Sequence, residues 1–430
     1  MIYHFISAFG ILCLTGVAWL FSTNRKKISW KTVGWGVLLQ LLFALFVFRI
    51  PAGTKLFLVL NDIVVKVIEA STAGSQFVFG MLALPPGVKG SPGFILAFQA
   101  LPTIIFFSAL ISLLYFLRIM PLLIRGFASL FSRVLVLSGA ESLSAASNIF
   151  VGVESSFTVQ PHLSKMTSSE LCTVLTAGMA TVASNVLALY VFTLREQFPA
   201  IAGHLISASI ISAPAAIVMS KILLPEEDAP ETFGKQVAIH YERPSNFFEA
   251  IINGANNGVK VIVGVAALLI AVLGLIALVD MFLGVVGGWV NRMFSLDVVW
   301  SLKSILGMFF YPFTLALGVP LDDAGTVAQI IGERTIATEV AGYQSLAAAI
   351  ADKNIIHPRS IIITTYALCG FAHFASMAIF IGGIAALAPG QKKTLSTVGF
   401  RALCAATLAC LLTACTAGIF AGDASLLTRF

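Results

Sequence analysis

The chain has 430 residues and a formal net charge of +6, with 58% of its residues hydrophobic and only 11% charged. A soluble domain carries about 25% charged residues, so this composition excludes a water-borne globule and calls for a bilayer as solvent. The basic residues form short clusters between apolar runs, as the positive-inside rule places them, which excludes a nucleic-acid-reading surface.

A spanning helix needs roughly 20 mainly apolar residues. The first run, 2–21, has no basic n-region and no AxA-like cleavage site, so it reads as a retained helix rather than a signal peptide. Runs at 33–50, 94–117, 171–194 and 198–224 follow. Later come 259–290, long enough to be tilted or broken, then 360–387 and 402–420. The sum is about eight spans. Segments 56–69 and 120–137 mix apolar and charged residues at helical spacing and read as interfacial amphipathic helices. The stretch 225–244, rich in Glu, Asp and Pro, is the solvated linker. With this count, Arg25, Lys26, Lys27 and Lys31, then Arg118, Arg125 and Arg133, then Lys392, Lys393 and Arg401 all fall on the cytoplasmic side. Both termini then lie outside.

Two stretches, 142–166 and 322–350, are too short-armed to span yet too apolar for water. Each places polar and small residues between arms of about half a membrane, the pattern of a re-entrant hairpin, tolerated only inside protein or beside a water-filled cavity. A helix crowded with small and polar residues follows each: Gly178 to Asn185 after the first, Cys369 to Ser376 after the second. Hairpin plus interrupted helix, twice, is the trace of an internally repeated transporter with its site where the repeats meet. The fold expected is all-α and polytopic. It divides into N-terminal spans and interfacial helix (1–93), first repeat (94–224), linker (225–247) and second repeat with the last span (248–430).

Glu154 and Glu339 are the candidate binding carboxylates. A charge at mid-bilayer costs at least roughly 2.5–3.5 kcal/mol, and a carboxylate can accept two hydroxyls at once, as a sugar offers them. The competing reading is a carboxylate capping hairpin N–H groups. Asn148, Thr181 and the carbonyls near Val151 and Val182 suit a small hard cation, or else act as helix–helix glue. His373 is either a hydrogen-bonded structural residue or a proton relay. Asp280 and Lys260, in one apolar stretch, are about five turns apart and cannot pair; each is expected at a helix end or snorkelling to it. The six cysteines lie in apolar runs without a CxxC pair and read as small buried side chains. There is no phosphate-binding loop, HExxH or GxSxG, so neither ATP-driven pumping, an enzyme nor a cofactor is expected.

At these residues the sequence resembles the concentrative nucleoside transporters over nearly its whole length. Glu141-Ser142-Leu143-Ser144-Ala145-Ala146-Ser147-Asn148-Ile149-Phe150-Val151 resembles the start of the family's first hairpin. The signature G-x-K-x-x-x-N-E-F-V-A reads here Gly332-Glu333-Arg334-Thr335-Ile336-Ala337-Thr338-Glu339-Val340-Ala341. Pro358-Arg359-Ser360 and Tyr366-Ala367-Leu368-Cys369-Gly370-Phe371-Ala372 also read like the family.

The resemblance implies a homotrimeric inner-membrane symporter with one nucleoside per protomer. Glu339 would hold ribose hydroxyls, Glu154 would lie near base and ribose, Val186 and Phe371 would pack on the nucleoside, and Ser376 would contact the ribose. Asn148, Val151, Thr181 and Val182 fall where sodium-coupled members place their ion. Departures lie on the base-reading side and in the signature itself, where Thr338 stands for the Asn and Arg334 for the Lys. Gly152-Val153 stand where a Gln-Thr or Gln-Ser pair is usual, so Val153 occupies a base-reading position, and His373 stands for an Asn. A shifted base preference follows. Proton-coupled symport through Glu154, Glu339 or His373, and a nucleoside-binding protein that does not transport, are the alternatives.

Overall fold

The computed structural model describes residues 2–422, with the side chain of Val153 outside that description. Its helices run α1 (Ile2–Leu20), α2 (Trp30–Phe48), α3 (Pro51–Phe79), α4 (Thr103–Phe116), α5 (Ile119–Val134), α6 (Gly139–Asn148), α7 (Gln160–Leu163), α8 (Ser168–Ala180) and α9 (Ser184–Leu194). They continue as α10 (Ile201–Leu223), α11 (Phe247–Phe294), α12 (Leu302–Ala316), α13 (Leu321–Ile336), α14 (Glu339–Ala351), α15 (Pro358–Leu368), α16 (Phe374–Leu387) and α17 (Lys392–Phe420). The fold is all-α, as the hydropathy pattern requires.

Seven helical segments among the described residues are long and apolar enough to cross a membrane, against the eight expected. The difference lies in 360–387, which is two short helices, α15 and α16, parted at Cys369–His373. Segment 120–137 corresponds to α5, whereas 56–69 is the middle of the much longer α3. Helix α12, with 15 residues, falls under the 20-residue criterion and goes unseen in the sequence. Asp280 is not at a helix end: it lies inside α11 and accepts the Leu302 N–H at 2.7 Å, satisfying an orphan donor next to the start of α12.

Helices α10 and α17 form the centre, with α8 and α15 packed against them. Nearly every residue of α10 is buried. Small residues let these helices approach, as membrane helix packing demands. A Cβ on Gly178 of α8 would meet the Phe380 ring at 2.2 Å. Helix α11 is largely exposed and leans on α4 through Gly254 and Gly258, a G-x-x-x-G pair. A Cβ at either position would come within 2.6 Å of α4 backbone. Arg359 at the start of α15 ties the far ends together, donating to the carbonyls of Gly318 and Tyr3, each at 2.9 Å, and to the Ser7 hydroxyl at 2.7 Å.

Over the two stretches expected as hairpins the chain forms short consecutive helices. The first is α6, a 3-10 segment (Val153–Val159) and α7, followed by α8 and α9, which part at Thr181–Ala183. The second is α13 and α14, followed by α15 and α16. The linker after α10 runs along the first hairpin. Thr232 accepts the Gly139 N–H at 2.9 Å, and His240 N–H reaches the Thr158 carbonyl at 3.0 Å. Beneath that hairpin Lys221 of α10 pairs with Glu141 at 2.7 Å, both nearly out of solvent, and donates to the Ser169 hydroxyl at 3.0 Å.

Candidate functional site

In each unit a hairpin tip meets the break of the helix that follows; the candidate cation ligands gather at C-terminal helix ends of the first, the candidate carboxylate at N-terminal helix ends of the second. In the first, α6 and α8 both end, so their C-terminal carbonyls, the negative ends of their dipoles, converge. Asn148, the last residue of α6, is fully buried. Its amide donates to the Ser144 carbonyl at 3.0 Å, and its Oδ1 accepts the Ser155 hydroxyl at 2.7 Å. The Ser184 N–H donates to the Phe150 carbonyl at 3.1 Å, stitching tip to break. Ser209 of α10 donates to the carbonyls of Ile149 at 2.9 Å and Val182 at 3.4 Å. Thr181 donates its hydroxyl to the Ala177 carbonyl at 2.9 Å. Asn148, Thr181 and Val182 are thus brought into one oxygen-rich neighbourhood, with Val151 on the same turn. Such a donor set suits a hard cation bound through neutral oxygens.

In the second unit two helix N-termini, the positive ends, face one carboxylate. Thr338 caps α14, its hydroxyl accepting the Ala341 N–H, and Glu339 is the first residue of that helix. His373 caps α16: Nδ1 accepts the Ser376 N–H at 3.2 Å. With Nδ1 so occupied, a neutral ring carries its proton on Nε2, which lies 2.9 Å from Oε2 of Glu339. The other oxygen, Oε1, accepts the Tyr190 hydroxyl at 2.8 Å. Glu339, His373 and Tyr190 are all buried. Ser376 commits its hydroxyl to the Phe371 and His373 carbonyls, fastening the break itself.

Glu154 lies elsewhere, in the 3-10 segment of the first hairpin. It lines a cavity of about 410 Å³ with Tyr115 of α4, Val151, Asn185 of α9, Tyr241 of the linker and Asn257 of α11. Helix α9 connects the two acidic centres: Asn185 faces the Glu154 cavity, and Tyr190 holds Glu339. Asn185 and Tyr190 are five residues apart, about 7.5 Å along the helix axis and about 140° around it. Helix α16 also packs on the Glu154 segment, and α14 on α9.

Of the sequence candidates, Glu339, His373, Ser376 and the Phe371 backbone come together in one hydrogen-bonded group. Glu154 stands with Val151 at the cavity. Val186 is buried in the first turn of α9 between the two centres. Val153 lies in the turn before Glu154, its side chain outside the described residues. Tyr190, Ser155 and Ser209 were not among the candidates. Tyr190 is one aromatic in an apolar run, and the two serines carry no pattern of their own, so only tertiary placement discloses them.

A family model described as the C-terminus of Na+ dependent nucleoside transporters matches residues 204–418. Its N-terminal counterpart matches 9–82, and a nucleoside-recognition gate model matches 97–196. An uncharacterised transporter of Haemophilus influenzae is 38% identical, with 97% of each chain covered. The nucleoside permease NupC of Helicobacter pylori is 36% identical, again with 97% of each covered. Solute carrier family 28 member 3 of Rattus norvegicus is 36% identical over 96% of this chain but only 58% of its own length. The solved structure of CNTnw in an inward-facing substrate-bound state superposes with a TM-score of 0.88 at 33% identity, covering 97% of this chain and 98% of that one.

Proposed function

We propose, because the chain belongs to the Na+ dependent nucleoside transporter family, that it imports nucleosides by symport with sodium and with a base preference shifted from the family's usual one. The observation that carries this is the pair of buried centres joined by α9: a carboxylate at two helix N-termini, and neutral oxygens at two helix C-termini. The first accepts sugar hydroxyls; the second accepts a small cation. The CNTnw structure is titled substrate-bound, and the Helicobacter relative is named a nucleoside permease.

In this reading the ribose hydroxyls take the place of His373 and Tyr190 on Glu339, and the base extends along α9 towards Glu154. Sodium sits among Asn148, Val151, Thr181 and Val182. Its charge draws the tip carbonyls and the α8 break together, which fixes Ser184 and so the start of α9. Because α9 carries Tyr190, ordering by sodium raises nucleoside affinity, and the nucleoside raises sodium affinity by the same factor. Gly152 offers the base no side chain to read. The exposed apolar length of α11 faces lipid and, in a homotrimer, further copies of the chain; both termini lie outside the cell membrane and the linker inside.

Uptake of tritiated nucleosides into proteoliposomes tests the reading. It requires an inward sodium gradient, and Asn148→Ala removes that requirement or abolishes uptake. One observation favours a second reading, proton symport: His373 stands within hydrogen-bonding distance of Glu339, a titratable pair at the sugar site. Uptake that ignores sodium and follows a pH gradient decides for it.

A further inference from the structure

The two units repeat one plan, a hairpin whose first helix ends against the C-terminal end of a broken helix. In the first unit α6 and α8 end together; in the second, α13 and α15 do. Each convergence concentrates partial negative charge of roughly half an electron per helix end. At the first, the polar side chains are neutral: Asn148, Ser155 and Ser209. At the second stands Arg334, in the last turn of α13 and fully out of solvent.

The Arg334 guanidinium points at the end of α15: Nη1 donates to the Ala367 carbonyl at 3.1 Å. The neighbouring carbonyls are taken as well. Thr365 accepts the Tyr343 hydroxyl at 3.1 Å, and Cys369 accepts the Cys410 thiol at 2.8 Å. None of the ion pairs among the described residues includes Arg334. The adjacent Glu333 is engaged with Lys303 at 2.7 Å and with Ser345. A buried cation outside every ion pair and aimed at a helix C-terminus is favoured by the negative end of that helix's dipole. The two breaks are also neighbours, for Gly370, at φ +120°, lies against the Ala180 carbonyl, where a Cβ would come within 2.8 Å. The two convergences therefore lie side by side, one lined by neutral oxygens and one filled by a side chain.

We propose that Arg334 is the resident cation of the second unit, standing where the first unit takes its ion, so that this unit draws no ion from solution and each transport cycle carries a single coupling ion. The proposal deepens the symport reading and rests on it. Arg334 would then be a positioning residue that holds the second break in its ion-bound shape permanently, leaving the first break as the ion-dependent half.

The test is the coupling ratio, measured in proteoliposomes from the membrane potential that just halts uptake of whichever of tritiated uridine and adenosine the protein carries. One sodium per nucleoside and a Hill coefficient of 1 in sodium are expected for the native protein and for Arg334→Lys. Arg334→Gln, which leaves the α15 end without a cation, should raise half-saturating sodium at least tenfold and lift the Hill coefficient above 1. Two sodium ions per nucleoside in the native protein would overturn the proposal, whether or not the glutamine variant folds. So would Arg334→Gln with native sodium affinity and a Hill coefficient of 1. Uptake indifferent to sodium strikes the symport reading instead; protons per nucleoside are then counted, and two would still overturn the resident cation.

Discussion

His373 Nε2 stands 2.9 Å from Oε2 of Glu339, and the same histidine caps α16 through Nδ1. One ring therefore does two jobs, closing a helix end and occupying the carboxylate that a sugar would use. Those jobs separate by mutation. Asn is among the best N-cap residues, and its shorter amide serves α16 without holding Oε2. His373→Asn should bind nucleoside more tightly, by up to about tenfold, the worth of one net hydrogen bond. Calorimetric titration in detergent checks it; weaker binding would mean that His373 itself contacts the ligand.

Glu339→Gln keeps the shape and removes the charge. Hydrogen bonds to a charged group are worth about 1.5–3 kcal/mol, so nucleoside affinity should fall by one to two orders of magnitude. The melting temperature without ligand should change little, because the amide oxygen can accept from His373 while the amide N–H donates to the Tyr190 hydroxyl. Unchanged affinity would remove Glu339 from the sugar site.

Tyr190→Phe leaves Oε1 of a buried carboxylate without its donor, at a cost of about 1–3 kcal/mol. The ligand-free protein should melt lower, and the stabilisation gained on adding nucleoside should grow, since sugar hydroxyls then satisfy that oxygen. A thermal-shift series over nucleoside concentration reads both effects. Equal melting curves for the two proteins would contradict the arrangement.

Lys221 and Glu141 are a buried pair under the first hairpin. Removing one partner strands the other charge, so Lys221→Met should destabilise by about 3–5 kcal/mol, whereas Lys221→Met with Glu141→Leu should recover most of the loss. Chemical denaturation of the three proteins measures it. If the double variant is no better than the single, the coupling lies elsewhere.

Gly258→Leu tests the contact of α11 with α4. The added side chain must displace α4 backbone, and overpacking of this kind costs about 1–3 kcal/mol. Lowered thermal stability is expected, while the same change at Gly264, which has open space around it, should be tolerated.

Much of this architecture is written in hydropathy. The spans 2–21 and 33–50 fall on α1 and α2, and the stretch 322–350 falls on α13 and α14 with the break at Ala337–Thr338. Glycine, proline and polar residues at membrane depth mark such breaks because lone backbone groups there need partners. Where length alone decides, hydropathy misleads: α12 is short, and α3 hides its true extent behind charged residues. At the site, the acidic and capping residues stand out as polar outliers in apolar surroundings. Their partners do not. Ser209 reaches Ile149 from α10, and Tyr190 reaches Glu339 across 149 positions; no local pattern encodes a contact of that separation.

The linker's bond to the first hairpin has a mechanical corollary. His240 is held by the Thr158 carbonyl, and α11 begins right after Asn246. Six residues of extended chain reach at most about 20 Å. While that bond holds, the hairpin is on a leash of this length to the start of α11, and any stroke it makes past that helix must fit within the tether or begin by releasing it.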